Sequence, residues 1–499
     1  MDPRQAYQEL AERSREIFTI HTIAALTAWD QQVNMPPKGV AHRATMMAYL
    51  AQLEHEKQTN PHIGELLAAA ATGQWGPDEA ANLREWQRSY DQATKLPPDL
   101  VRRQAELVTH ATQLWELARE QSDYAAFAPS LADLIAISRE VADHLGWQAE
   151  RYDALLDLYE PGLTTAQCET LFTSLRQSLV GLLQSITASP RQPHDGPLGT
   201  VIFPRDAQRA FGVEVSQALG FDYAAGRLDV SAHPFTEGIF PGDVRLTTRY
   251  DERWPLQALM GTIHEAGHGM YEQGLPLAHL GTPRGQAVSL GVHESQSRFW
   301  ENNVGRSRPF WAYWFPRLRT RFPSQLDGVA LDDFYRLANR VQPSLVRVEA
   351  DEVTYNLHIM VRFEIERDLF RDALRPADLR DVWNSKYKAY LGLDVPDDRL
   401  GILQDVHWAW CNFGYFPTYT LGTVYAAQLE AALRRAIPDL DARMAAGEFA
   451  GLLSWLREQI HGCGMLYRAD ALIEHATGRR PSVEDYVAYL ARKYGELYL

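Results

Sequence analysis

DERWPLQALMGTIHEAGHGMYEQG, residues 251–274, is the stretch on which the fold and chemistry of this chain are read. Leu256, Met260, Ile263, Gly267 and Met270 step by four and three, which predicts a helix with a largely apolar stripe. Beside the stripe stand His264, Glu265 and His268, an H-E-x-x-H pattern. Residues four apart on a helix project from one face, so both imidazoles reach a single metal ion. Asp251 is expected as the N-cap, with Pro255 in the first turns, and Gly274 as the left-handed residue that ends the helix. Gly261, Gly267 and Gly269 each weaken the helix by about 1 kcal/mol relative to alanine, which suggests close approach of another backbone. Taken alone, the pentapeptide is also explained by a chance spacing of common residues. Its place in an amphipathic helix, followed closely by an acidic one, favours the metal.

That second helix is read from residues 289–303, SLGVHESQSRFWENN. Glu294 lies 26 positions beyond His268, enough for a loop and a returning helix to bring a carboxylate to the same ion. Two imidazoles and one carboxylate leave a coordination position for water, as in catalytic and not structural zinc sites. Glu265, beside the ligands but not one of them, is placed to take a proton from that water. His293 competes with Glu294 as ligand, and Glu301, two turns on, is expected behind the ligands or on a solvated face.

The rest of the composition narrows the class. At 499 residues the chain can bury a large core, with 45% hydrophobic and 23% charged residues in the manner of soluble globular proteins. No apolar run approaches the roughly 20 residues of a membrane span. The opening MDPRQAYQELAERSREIF is amphipathic and carries acids, so it reads as a first helix and not as a signal peptide. Cys168, Cys411 and Cys463 are far apart and in no C-x-x-C spacing, which disfavours a disulfide framework or a thiolate zinc site and points to the cytoplasm. A net charge of −15 disfavours a phosphate-binding surface, so nucleic acid is not an expected partner.

Residues 1 to about 190 read as successive helices, broken at 29–39, WDQQVNMPPKG, where two prolines force an extended path. In 151–164, RYDALLDLYEPGLT, one helix ends at Pro161-Gly162 and another begins at Thr164 or Thr165. The loop 189–200, SPRQPHDGPLGT, is a candidate hinge. Residues 242–250, GDVRLTTRY, alternate as a strand, expected at a sheet edge where it could align an extended peptide beside the metal. His233, just upstream, reads as a substrate contact or a loop residue more than as a ligand. The C-terminal half is again helical, with the segment 347–355, RVEADEVTY, and the aromatic stretch 401–422, GILQDVHWAWCNFGYFPTYTLG, most of whose rings are expected to pack.

These segments together resemble the carboxypeptidase Taq family of thermostable zinc carboxypeptidases. The likeness rests on His233-Pro234-Phe235, Asp243-x-Arg245-x-Thr247, His264-Glu265-x-x-His268, His293-Glu294-Ser295-Gln296 and Gly401-x-x-Gln404-Asp405-x-His407-Trp408, in that order, with WDQQVNMPP and LYEPGLT extending it over nearly the whole chain. The resemblance implies a mainly helical fold similar to neurotensin-degrading and angiotensin-converting peptidases, one catalytic domain over 1–499 with two lobes about a deep groove, a small sheet beside the metal, and a homodimer. It implies removal of single residues from peptide C-termini with broad preference, using Zn2+ or sometimes Co2+ held by His264, His268 and Glu294. By the same analogy Tyr419, with His407 or Tyr415 behind it, would stabilise the oxyanion. His233, Gln404 and Tyr415 are expected near the substrate. Arg245 or Arg347 would bind the terminal carboxylate through its planar fork, although Arg245 is equally read as a strand residue paired to Asp243. An endo-acting oligopeptidase, or a non-catalytic peptide-binding protein with a structural metal, are the competing readings.

Overall fold

Proline opens many of the helices, because its fixed φ suits the first turn and its missing N–H would find no partner there. The computed structural model describes residues 1–193 and 201–499. Its first part is α1 (Pro3–Val33), α2 (Val40–Gln58), α3 (Pro61–Ala70), α4 (Pro77–Lys95), α5 (Pro98–Gln121), α6 (Tyr124–Leu145), α7 (Arg151–Leu156) and α8 (Thr165–Ala188). After α9 (Arg205–Leu219) come strands β1 (Gly226–Val230), β2 (Thr236–Phe240) and β3 (Asp243–Thr248), then α10 (Pro255–Glu272) and α11 (Leu290–Arg298). The remainder is α12 (Arg308–Arg321), α13 (Leu331–Ala338), α14 (Tyr355–Phe370), α15 (Leu379–Leu391), α16 (Pro417–Ala436), α17 (Leu440–Ala446), α18 (Ala450–Gln459), α19 (Ala469–Thr477) and α20 (Glu484–Tyr498). The molecule is thus mainly α, 68% helical, with a small three-stranded sheet.

The main apolar core runs from Ala111 on α5 to Tyr498 on α20 and encloses the buried side of α10. A smaller core of Ala6, Leu10, Ile63, Leu66, Leu67 and Ala70 joins α1 to α3, with Trp75 and Trp86 packed on it. Helix α2 buries none of its residues. In the sheet, β3 lies between its neighbours, parallel to β1 with Gly226 opposite Val244, and antiparallel to β2 with Thr236 opposite Leu246. The strand read from 242–250 is therefore central, and the edge expected for it belongs to β2, which borders α10. Val244 and Leu246 are fully buried on it, which a central strand requires.

Several boundaries differ from those read in sequence. Helix α1 continues through Trp29 to Val33, because the prolines that stop it come only at Pro36 and Pro37. Trp29 is buried there, with the guanidinium of Arg245 4.4 Å from its ring centre and that of Arg227 at 5.2 Å. Helix α7 ends at Leu156, ahead of Pro161, whereas α8 begins as expected behind a Thr164–Gln167 capping box. Trp254, not Asp251, is the N-cap of α10, with Pro255 at the first helical position, and Asp251 instead accepts from the Arg253 N–H. Gly274 does not take the left-handed conformation; the ring of His461 packs where its side chain would be. Of the candidate hinge 189–200, residues 194–200 lie outside the described residues. Ser189 donates to the Tyr498 carbonyl and so ties the end of α8 to α20.

Candidate metal centre

The apolar side of α10, with Leu256, Leu259, Met260, Ile263, Ala266 and Met270 buried, fixes the direction in which its polar side chains point. Gly267 lets α11 come against that helix: a Cβ there would lie 2.7 Å from the Gln296 carbonyl oxygen and from the Ser297 Cα. Gly422 on α16 does the same from the opposite side, where a Cβ would fall 2.5 Å from Cγ of Glu294. Held between two glycines, α11 delivers Glu294 to the histidines of α10.

His264, His268 and Glu294 each offer a ligand atom, and the three atoms lie within 4.8 Å of one another. Nε2 of His264 is 3.6 Å and Nε2 of His268 3.4 Å from Oε2 of Glu294. The Nδ1 atoms are engaged elsewhere: that of His264 lies 2.9 Å from Oε2 of Glu301, and that of His268 2.6 Å from Nδ1 of His293. What faces the shared space is therefore the two Nε2 atoms and one carboxylate oxygen. This donor set, with its outer nitrogens already oriented, fits a zinc-type divalent cation.

The other oxygen of Glu294 accepts from Nε of Arg298 at 2.7 Å, and Ser297 Oγ donates to Oε2 at 2.9 Å. Burial alone would raise Glu294, but Arg298 and the histidines hold it well below the usual carboxylate range. Burial lowers His268 to about 3, whereas for His264 the carboxylates of Glu294 and Glu301 outweigh burial and raise it. Glu265 is raised, by burial first, and its Oε2 accepts from Thr236 Oγ1 of β2 at 2.7 Å.

A second group gathers around Tyr355, whose ring centre lies 4.3 Å from the Arg298 guanidinium. Its hydroxyl accepts from Arg347, and the Arg347 guanidinium is 5.0 Å from the ring centre of Tyr419. Tyr419 Oη is 3.3 Å from Nε2 of His407, and Tyr415 packs edge-on to Tyr419 at 5.4 Å. Burial lowers His407 to about 4, so the ring is neutral near pH 7, and its Nδ1 is buried without a hydrogen-bond partner. Nε and Nη2 of Arg347 donate to Asp405, which also accepts from Arg362. Gln404 accepts from the Arg347 backbone N–H and donates to the Leu345 carbonyl, steadying the loop that carries the arginine. Arg245 is held away from this group, bidentate to Asp243 at 2.9 Å for each bond. His233 is exposed and does not belong to the group of His264, His268 and Glu294.

The sequence pattern of the carboxypeptidase Taq (M32) metallopeptidases matches residues 9–494. This chain belongs to that family. Thermostable carboxypeptidase 1 of Thermus thermophilus is 47% identical to it, with all of both chains covered, and carboxypeptidase 1 of Bacillus subtilis is 39% identical over 99% of this chain and 98% of the relative. The M32 carboxypeptidase from Deinococcus radiodurans superposes with a TM-score of 0.96 at 40% identity over 99% of each chain. Metallocarboxypeptidase 1 of Trypanosoma cruzi superposes at 0.93 with 38% identity, over 98% of this chain and 99% of that one. The protein is accordingly a metal-dependent carboxypeptidase, a hydrolase acting on peptides, and the family implies a divalent metal.

Within this M32 carboxypeptidase, His264 and His268 of α10 and Glu294 of α11, which sequence spacing singled out, lie close together. Sequence reasoning missed Thr236, Arg298, Glu272 and Tyr355. Arg298 carried a signal, since it stands four residues after Glu294 on one helix. Thr236 carried none, because only the sheet pairing brings β2 to α10.

Proposed function

We propose that this M32 carboxypeptidase removes one residue at a time from peptide C-termini with broad preference, using Zn2+, or Co2+ in its place, held by His264, His268 and Glu294. When bound, such a cation supplies Lewis acidity to water and to the scissile carbonyl. Glu265 takes a proton from the attacking water and passes it to the leaving amine. Tyr419, with His407 and Tyr415 behind it, donates to the oxyanion. Arg347 is the preferred clamp for the terminal carboxylate. It stands beside Tyr419, and part of its fork is left over after Asp405 and Tyr355, whereas Arg245 lies under Trp29. His233, Gln404 and Tyr415 complete the substrate surroundings, Gln404 through its grip on Arg347.

The observation that carries this reading is the convergence of the three ligand atoms with Glu265 beside them and uncommitted to any arginine. We further propose one catalytic domain over 1–499, two lobes with a hinge near 189–200, a cytoplasmic location and a homodimer.

Mass spectrometry of timed digests tests the activity. Loss of the carboxylate partner costs about 1.5–3 kcal/mol for a charge-assisted bond, so C-terminal amidation is expected to lower kcat/KM by at least about tenfold. Arg347→Ala is expected to erase the difference between acid and amide. Equal cleavage of both, or internal fragments appearing first, would make this an endopeptidase.

A further inference from the structure

The geometry points to a support made of His293 and Glu272 that orients the ring of His268 and sets how tightly the centre holds its cation. It rests on the metal reading above and extends it to two residues that are not ligands. His268 Nδ1 is 2.6 Å from His293 Nδ1, and His293 Nε2 is 2.7 Å from Oε1 of Glu272. The proton order along this chain follows from the ligand end. For Nε2 of His268 to offer a lone pair, its Nδ1 must carry the hydrogen and donate it. His293 Nδ1 then accepts, so its own hydrogen sits on Nε2 and is donated to Glu272. A carboxylate, which only accepts, fixes the tautomer of both rings.

Three elements build the support. Glu272 is four residues after His268 on α10, and on a helix the two could meet directly, yet an imidazole from α11 is interposed. Edge strand β2 supplies the third side: a Cβ at Gly238 would lie 2.5 Å from the carboxyl carbon of Glu272, so only glycine leaves that carboxylate where it is. Tyr271 packs against His293 with ring centres 5.1 Å apart. The other ligand histidine has a shorter arrangement, with Glu301 directly on His264. His293 thus is not the rival ligand that sequence allowed; its Nδ1 faces an imidazole, and it stands outside the group of three ligand atoms.

The test is zinc affinity, measured on the full-length protein by competition with a calibrated chelator, together with the visible spectrum of the Co2+-loaded protein. His293→Leu, Glu272→Gln and Gly238→Ala are each expected to weaken zinc binding by about ten- to hundredfold. His293→Gln is expected to stay within a few-fold of wild type, because an amide can accept from one neighbour and donate to the other. The Co2+ spectrum should shift in His293→Leu and not in His293→Gln. If His293→Leu and Glu272→Gln bind zinc as wild type does, or if His293→Gln loses as much as His293→Leu, the ring merely packs and the inference is overturned. Glu272→Gln keeps the test open should His293→Leu fail to fold. His268→Ala separates the two levels: if it too binds zinc normally, the metal reading itself is wrong.

Discussion

Glu265 differs from the carboxylates around it in its partner. Glu294 and Glu301 are bound by arginines, whereas Glu265 accepts from the hydroxyl of Thr236 and is left free to take up a proton. Glu265→Gln keeps the shape and removes that capacity, so the variant is expected to retain its metal while turnover falls by about a hundred- to ten-thousandfold. Metal content and peptide hydrolysis measured on one preparation check it, and near-normal turnover would assign the base elsewhere. Asp405 shows the opposite design. Burial alone would raise it, but Arg362 and Arg347 hold it well below the usual carboxylate range. A depressed carboxyl adds stability that is fully present above its unfolded pKa of about 4 and is lost as pH falls below that value. Asp405→Asn leaves two buried cations without a counter-charge and is expected to cost about 3–5 kcal/mol at neutral pH, with a smaller deficit in acid. Denaturant titrations at pH 7 and below pH 4 compare the two. The pairing of His264 with His268 was legible in sequence because helix geometry alone places the two on one face. The contact of Thr236 with Glu265 was not, since it depends on a strand pairing that no local pattern encodes.

At the scale of elements, the centre depends on how closely α11 can lie between α10 and α16. At Gly267 the obstacle to any side chain is the backbone of α11, which cannot yield as a flexible side chain would. Gly267→Ala is therefore expected to push α11 outward, destabilise the fold by about 1–3 kcal/mol and weaken metal binding through displacement of Glu294. Thermal unfolding and metal content of the variant report the two effects, and unchanged values in both would show that α11 relaxes freely. The glycines of α10 did announce a close approach in sequence, and at Gly267 that approach is backbone on backbone. At Gly269 the neighbours are the side chains of Phe221 and Leu246 instead. The alternation of Val244, Leu246 and Thr248 revealed β3 but not its place. Centre and edge differ in which strands lie alongside, and β1 joins it in parallel from across β2 in the sequence. Beyond Arg298 the backbone widens into a π-helix, Phe299–Gly305, which carries Glu301 to His264. Its residues read as an ordinary helix, because the i to i+5 pairing is set by what surrounds the segment and not by its composition.

For the molecule as a whole, the question is whether the metal holds the fold or only works within it. In small metal-dependent domains the ligands replace a core that the chain is too short to build, and removing the ion unfolds them. Here the main core extends from Ala111 to Tyr498, with Trp300, Trp311 and Trp383 fully buried in it, and it is continuous without the three ligands. Among the described residues no helix is long and apolar enough to cross a membrane. The outer partners of the ligand histidines also persist without an ion, because Glu301 is bound by Arg306 and Glu272 lies against β2. Chelation is therefore expected to abolish peptidase activity while leaving the far-ultraviolet circular dichroism nearly unchanged, and added zinc should restore activity without refolding. The bound form should still melt higher than the metal-free form, since an ion that binds only the native state stabilises it by mass action. Activity, circular dichroism and melting curves recorded on one chelated and reloaded sample decide the matter: collapse of the helical signal on chelation would mean that the ion is part of the scaffold, and that the large apolar core is not sufficient by itself.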